Sequence, residues 1–412
     1  MAGPVAPLRL MFASGVLVHG AYDAIRVLVS YRVINLGGDG AAVGLVAASF
    51  ALVPLLVALR IGHRVDTRGS WAVMLAGGVL SLLACLLILL GPTLAVLAAG
   101  NALLGLGQVM TFLAGQGVVV EQSEPHRFVN GFALFSLSVA AGQSLGTPVA
   151  GLLVEWQNRA TGGVVPGGEV AVGWALLTMS AAIALALPLM AALPRVPGAT
   201  AGAAPGAAAR AGRPVAILGI RGMPAAIYAS LVVLTGIDLI TAYLPVVGQA
   251  HGIAPLTVTL LVALRSVFSM VSRGAMPLLL RIADGPRLLT WAMAGSAPAI
   301  LGVALTGRVP ALALLLAVVG FCWGMSQPLS MNWVALLVDP GVRAVALSLR
   351  LTGNRLAQAV VPAAAGALTG PFGPGAVFIV SGALTAVAAL TTATYYTAPR
   401  QAPGAQQERK RP

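Results

Sequence analysis

Within the apolar stretches of this chain stand a few side chains able to do chemistry. His19, Asp23 and Arg26 follow one another at spacings of four and three, which puts them on one face of a helix. Asp238, Arg265, Gln327, Asn354, Arg355 and Gln358 interrupt other apolar runs. An ionisable group inside such a run is costly, so its default reading is functional. The chemistry is that of charge recognition and proton exchange. The planar fork of arginine matches carboxylates and phosphates. A buried carboxyl beside a moving partner can take up and release a proton, which makes Asp23, with His19, the candidate coupling group. At mid-depth, two acids (Asp23, Asp238) face three arginines (Arg26, Arg265, Arg355), and the positive surplus predicts an anionic or carboxylate-bearing solute. Plainer roles compete with these. Asp23 and Arg26 would neutralise each other, His19 would pack, and the amides Gln327, Asn332, Asn354 and Gln358 would stitch helices together. Arg273 and Arg350 are expected to snorkel toward an interface, and Glu121 to lie in a solvated loop with Glu124 and Arg127.

The elements that position these groups follow from composition. The chain is 58% hydrophobic and 8% charged, with a mean hydropathy of +0.93. A soluble domain usually carries about 25% charged residues. So few charges cannot cover a surface in water, whereas lipid demands apolar exteriors. The net charge of +13 is spread between apolar runs without a basic, aromatic-interleaved stripe, so nucleic acid is not expected as a partner. Cys85 and Cys322 sit inside apolar runs and read as small core residues.

Spans of about 20 apolar residues are predicted near 9–34, 41–61, 71–91, 93–119, 128–154, 171–193, 223–249, 254–280, 288–306, 309–337, 344–368 and 372–396. The first run lacks a cleavable leader pattern and reads as a retained helix. If the N-terminus is inside, the inner segments hold Arg9, Arg60, Arg64, Arg68, Arg127, Arg195 and the arginines of the later inner loops and tail. The outer loops hold only Arg32, Arg159 and Arg308. The positive-inside rule then places both termini in the cytoplasm. Residues 194–222 are rich in Pro, Gly and Ala and read as a flexible cytoplasmic linker. The domains expected are a six-helix bundle over 1–193, the linker, a second bundle over 223–396 and a basic tail over 397–412. The bundles echo each other near an offset of 215: Asp23 with Asp238, Pro148 and Gly151 with Pro362 and Gly366, Asp66 with Asp284. Parallel repeats of this kind are a transporter architecture, with the solute site between them at mid-depth.

At this point the residues resemble a family. Gly62-His63-Arg64-Val65-Asp66-Thr67-Arg68-Gly69-Ser70 is similar to the helix 2–3 signature of the major facilitator superfamily, Gly-x-x-x-Asp-Arg-x-Gly-Arg. Gly62, Asp66 and Gly69 match in spacing, the basic residue is displaced to Arg68, and Ser70 replaces the last arginine. The resemblance implies an all-α membrane fold of twelve helices in two pseudo-symmetric bundles. It also implies that this loop latches the inner side when the carrier faces outward. Gly142, Gly146, Pro148 and Gly151 resemble the family's helix 5 antiporter signature, with Thr147 and Ala150 as departures, and lean toward efflux. The family's helix 4 arginine is replaced by Asn101, ahead of Gly105 and Gly107, which removes the relay usually assigned there.

The chain has no phosphate-binding loop with the Gly-x-x-x-x-Gly-Lys-Ser/Thr pattern and no His-Glu-x-x-His or Cys-x-x-Cys pattern. No cofactor, metal or ATP hydrolysis is expected. The reading is a secondary transporter of the inner membrane, a monomer that moves a small organic anion or drug-like compound by alternating access with protons as the driving ion. A polytopic membrane enzyme, a lipid-handling protein or a transport-inactive sensor on the same fold are the alternatives.

Overall fold

A computed structural model describes residues 5–123, 128–160, 170–196, 217–338 and 342–397. Among them run twelve long helices: α1 Val5–Asn35, α2 Gly40–Arg68, α3 Ser70–Leu90, α4 Leu94–Gln122, α5 Phe128–Ala160, α6 Gly173–Ala191, α7 Met223–Ala250, α8 Pro255–Ile282, α9 Gly285–Leu305, α10 Val309–Leu336, α11 Arg343–Ala367 and α12 Ala376–Thr397. Eleven are long and apolar enough to cross a membrane. The other is α11. Its 25 residues give roughly 37 Å of helix at 1.5 Å per residue, enough to span, but Arg350, Asn354, Arg355 and Gln358 lower its hydropathy. A helix this polar is tolerated in a bilayer when its polar face is turned to protein or to a wet cavity.

Local signals set the helix ends. Asp39 and Asp284 cap α2 and α9 by accepting from the backbone N–H of Ala42 and Arg287, and α7 to α10 each carry proline in their first positions. One expected loop is helix instead. Residues 62–68 form the last turns of α2, and only Gly69, at φ +84°, breaks the chain before α3. Gly62 alone costs a helix about 1 kcal/mol, which tertiary packing overrides, whereas the positive φ at position 69 suits glycine. Glu121 does not lie in a solvated loop: its carboxylate accepts from the N–H and the hydroxyl of Ser70, tying α4 to the start of α3. The expected linker lies mostly outside the described residues, as do Glu124, Arg127 and tail residues 398–412. The part of that stretch that is described includes Ile217, buried against Met223, Val334 and Ala346.

Helix packing repeats between the first six helices and the last six. α1 packs on α4, α5 and α6, as α7 does on α10, α11 and α12. α3 packs on α4 and α6, as α9 does on α10 and α12. The bundles meet along α2–α11 and α5–α8, pairs that exchange under the same shift, and along α1–α7. Close crossings recur 215 positions apart. A Cβ on Gly105 would overlap the Phe50 carbonyl, and one on Gly320 would overlap the Arg265 carbonyl. At the seam, Gly366 lies against Gly44, and Gly151 against Thr259. Small residues let backbones approach this closely where helices share an apolar solvent.

Candidate functional site

The seam between the bundles is shut toward the end away from the chain termini. There Gly40 and Gly44 of α2 touch Gly366 of α11, and the Tyr243 hydroxyl of α7 donates to the carbonyls of Gly40 (2.8 Å) and Pro362 (3.3 Å). Toward the termini this contact is lost: a Cβ on Gly62, five turns from Gly44 and so on the same face of α2, would meet no atom within 4 Å.

The floor of this opening is a cluster of charges at mid-depth. Arg26 of α1 donates to Asp238 Oδ1 of α7 at 2.5 Å, an ion pair joining the two bundles, and its guanidinium lies 4.5 Å from the Phe50 ring centre. The other Asp238 oxygen accepts from Gln358 Nε2 at 2.7 Å, and Gln358 Oε1 accepts from Arg355 at 3.3 Å. A relay thus runs from α1 through α7 to α11. Asp23, one turn before Arg26, is 3% exposed and interacts electrostatically first with Arg265 of α8, then with Arg26 and Asp238. Asp23 Oδ2 and Arg265 Nε are both buried without a hydrogen-bond partner. Arg265 otherwise donates to its neighbour Ser266 at 2.9 Å. A buried charge needs a partner and filled hydrogen bonds. Two facing charged groups with unmet capacity are therefore what a polar ligand or a proton would complete. Beside Arg26 a small crevice is lined by Val29, Ser30, Val43, Asn101 and Thr241.

The structure thus brings together Asp23, Arg26, Asp238, Arg265, Arg355 and Gln358, from four helices. Asp23 and Arg26 do not simply neutralise each other, because the hydrogen-bonded partner of Arg26 is Asp238. His19 stands apart from the cluster. It packs edge-on against Tyr22, Phe112 and Phe135 at 5.7, 6.1 and 6.2 Å. Gln327 is on the termini side of the cluster, donating to the Ser230 carbonyl and accepting from Arg350. Asn354 is 1% exposed and its Oδ1 has no partner. Arg350 does not snorkel outward: it is 8% exposed and donates to Gln327 and Ser330 of α10. Arg273 is exposed on α8, its Nε donating to the Gly324 carbonyl.

Of the helix 5 residues, Gly142 and Gly146 lie against Gly20 of α1, and Gly151 against Thr259 across the seam. Pro148 is within α5. In the Gly62–Gly69 stretch, Arg68 ends α2, exposed, and the Asp66 side chain is outside the described residues. Asn101 is buried and donates to the Val46 carbonyl at 2.6 Å, stitching α4 to α2. The sequence reading missed Phe50, which stacks on Arg26, and Tyr243, which closes the far end. It also missed the aromatic partners of His19. The 215-residue offset, applied to every position and not only to charges and prolines, gives a signal for the phenylalanines: Phe50 falls on Arg265, Phe112 on Gln327 and Phe135 on Arg350.

Compared with known proteins, the sequence matches the family model described as Major Facilitator Superfamily over residues 11–341 and again over 284–412. No curated protein matches it. The nucleoside transporter NupG superposes with a TM-score of 0.76 at 14% identity, covering 96% of this chain and 100% of that one. The D-xylose-proton symporter gives 0.72 at 15%, covering 96% and 98%. A bacterial homolog of the human lysosomal transporter Spinster, inward-facing and unoccupied, gives 0.71 at 15%, covering 96% and 99%. At these identities the likeness is one of fold.

Proposed function

The chain belongs to the major facilitator superfamily, secondary transporters that work by alternating access and not enzymes, and from that premise we propose that it carries a small organic anion together with a proton across the cytoplasmic membrane. The arginine bias of the loops supports an orientation with both termini in the cytoplasm. The conformation described is then the inward-facing one, with the Tyr243 seal on the outside.

The observation that carries this reading is the mid-depth cluster, in which Asp23 and Asp238 stand among Arg26, Arg265 and Arg355. An incoming carboxylate competes with these acids for an arginine fork. A carboxylate that loses its arginine is an uncompensated buried charge, and a proton neutralises it. Anion and proton therefore bind together. A monoanion with one proton moves no net charge, so the membrane potential neither drives nor opposes it. Rocking of the two bundles about the cluster exposes it to either side, and one chain supplies both bundles, so the monomer is the working unit. The helix 5 resemblance leans toward export, and an anion leaving with its proton is driven by its own outward gradient, whereas the inward proton gradient drives the same cycle toward uptake.

The test has two stages. A strain with and without the gene is grown against a panel of organic acids, sugars and toxic cations. A gene-dependent change in growth on or against one or more organic acids is expected, and no such change for any of them overturns the reading. Flux of the selected acid is then followed in everted vesicles. An imposed pH gradient should change it several-fold and a potassium diffusion potential should not. Flux that follows the potential instead contradicts paired movement.

A further inference from the structure

On the termini side of the mid-depth cluster the two bundles carry different chemistry at equivalent positions. In the first, Phe112 of α4 meets Phe135 of α5 with ring centres 5.3 Å apart, and His19 packs on both. Phe112 is 37% exposed, so part of its ring is left uncovered by His19 and Phe135. In the second, the residues 215 positions on are Gln327 of α10 and Arg350 of α11, and they meet as well, through a hydrogen bond of 2.7 Å. One contact between one pair of helices is aromatic on one side and cationic on the other.

The cationic version is incomplete. Arg350 is buried, its described partners (the Gln327 carbonyl and side chain, and Ser330) are all neutral, and its Nε has no partner. Arg273 brings a second guanidinium to the same turn of α10. A buried guanidinium met only by neutral groups is expensive, and an anion is what relieves it. Aromatic rings opposite favour a flat apolar body through edge and face contacts.

We propose that these two walls form a binding station between the mid-depth cluster and the cytoplasmic mouth, and that it takes an aromatic carboxylate in one orientation, its ring against Phe112 and His19 and its carboxylate on Arg350. The proposal rests on reading the chain as an organic-anion carrier and narrows the solute to amphipathic acids. The station lies on the path from the mouth to the cluster, so the arginines of α8, α10-facing α11 and the cluster form a sequence of anion contacts along the second bundle.

Equilibrium binding to the purified full-length protein in detergent tests it, with 2-naphthoate and its neutral analogue 2-naphthamide as probes. The wild type should prefer the carboxylate by about tenfold, the worth of one charge-assisted hydrogen bond. Arg350→Gln should erase that preference and leave naphthamide binding unchanged, and Arg350→Lys should retain part of it. Phe112→Ala should weaken both probes alike. Gln327→Glu keeps size and shape but sets a carboxylate beside Arg350, so it too should erase the preference, and it serves if Arg350→Gln fails to fold. A carboxylate preference unchanged in Gln327→Glu, or absent from the wild type, overturns the proposal. Binding in detergent needs no gradient. Loss of proton coupling in vesicles with naphthoate selectivity intact would sink the transport reading alone, and the converse would sink this one alone.

Discussion

The two bundles solve the same packing problem with the same device and then part company in what they show the cavity. Where α2 crosses α4 and where α8 crosses α10, a glycine faces a backbone carbonyl, Gly105 on Phe50 and Gly320 on Arg265. The residues that supply those carbonyls are 215 positions apart and chemically opposed, an aromatic ring and a guanidinium. Phe112 and Phe135 against Gln327 and Arg350 repeat the contrast. The backbone register of such a repeat is held by the absence of side chains at crossings, which leaves the remaining positions free to diverge. Divergence has made the first bundle aromatic and locally neutral in the open half of the cavity, and the second cationic. Among the charged residues at mid-depth, Asp23 and Asp238 keep the same chemistry at the same place, and each has its main electrostatic dealings with the opposite bundle.

The largest way to break this arrangement is at the ion pair that joins the bundles. Asp238→Ala leaves Arg26 buried without its carboxylate, and thermal unfolding in detergent should show a loss of about 3–5 kcal/mol. Adding Arg26→Gln should return most of it. A double variant no more stable than the single one would mean the pair matters by position and not by charge. Next come the crossings. Gly105→Val and Gly320→Val should each cost about 1–3 kcal/mol or more by overpacking, and to a similar degree, read as melting temperature and monodisperse yield. Unequal costs would break the equivalence of the halves. The opposite sign is expected at the parted end: Gly62→Ala and Gly274→Ala meet open space and should gain about 0.5–1 kcal/mol from helix propensity. Transport by these two variants should nonetheless slow, because the alternate conformation closes that end. The smallest effect belongs to Tyr243→Phe. Removing its hydrogen bonds to Gly40 and Pro362 should cost about 0.5–1.5 kcal/mol and increase thiol labelling of a cysteine introduced at Thr369.

Much of this was legible in the sequence. The helix positions follow from apolar length, and each observed helix lies within a few residues of its expected span except where α2 and α5 continue past it, to Arg68 and Ala160. Continuation is invisible to a hydropathy reading, because polar residues such as Glu155 and Arg159, which pair one turn apart, are good helix formers beyond the bilayer. The mid-depth charges were legible as a group because lipid forbids them elsewhere. Their pairing was not. Asp23 and Arg26 share a helix face, yet Arg26 reaches Asp238, 212 residues away, since partners across a seam depend on the rotation of two bundles that no local pattern encodes. His19 shares the spacing but turns into an aromatic pocket, because α4 and α5 close over its level of the helix while α7 and α8 meet the levels of Asp23 and Arg26.

Proton uptake on solute binding measures the central claim most directly. Purified protein in weakly buffered detergent solution is titrated with the organic acid that the growth screen selects, and the pH change is read per anion bound. The account predicts about one proton taken up per anion by the wild type, and a large fall in that ratio for Asp23→Asn with anion binding preserved. Binding with no proton uptake by the wild type, or an undiminished ratio in both Asp23→Asn and Asp238→Asn, would contradict it.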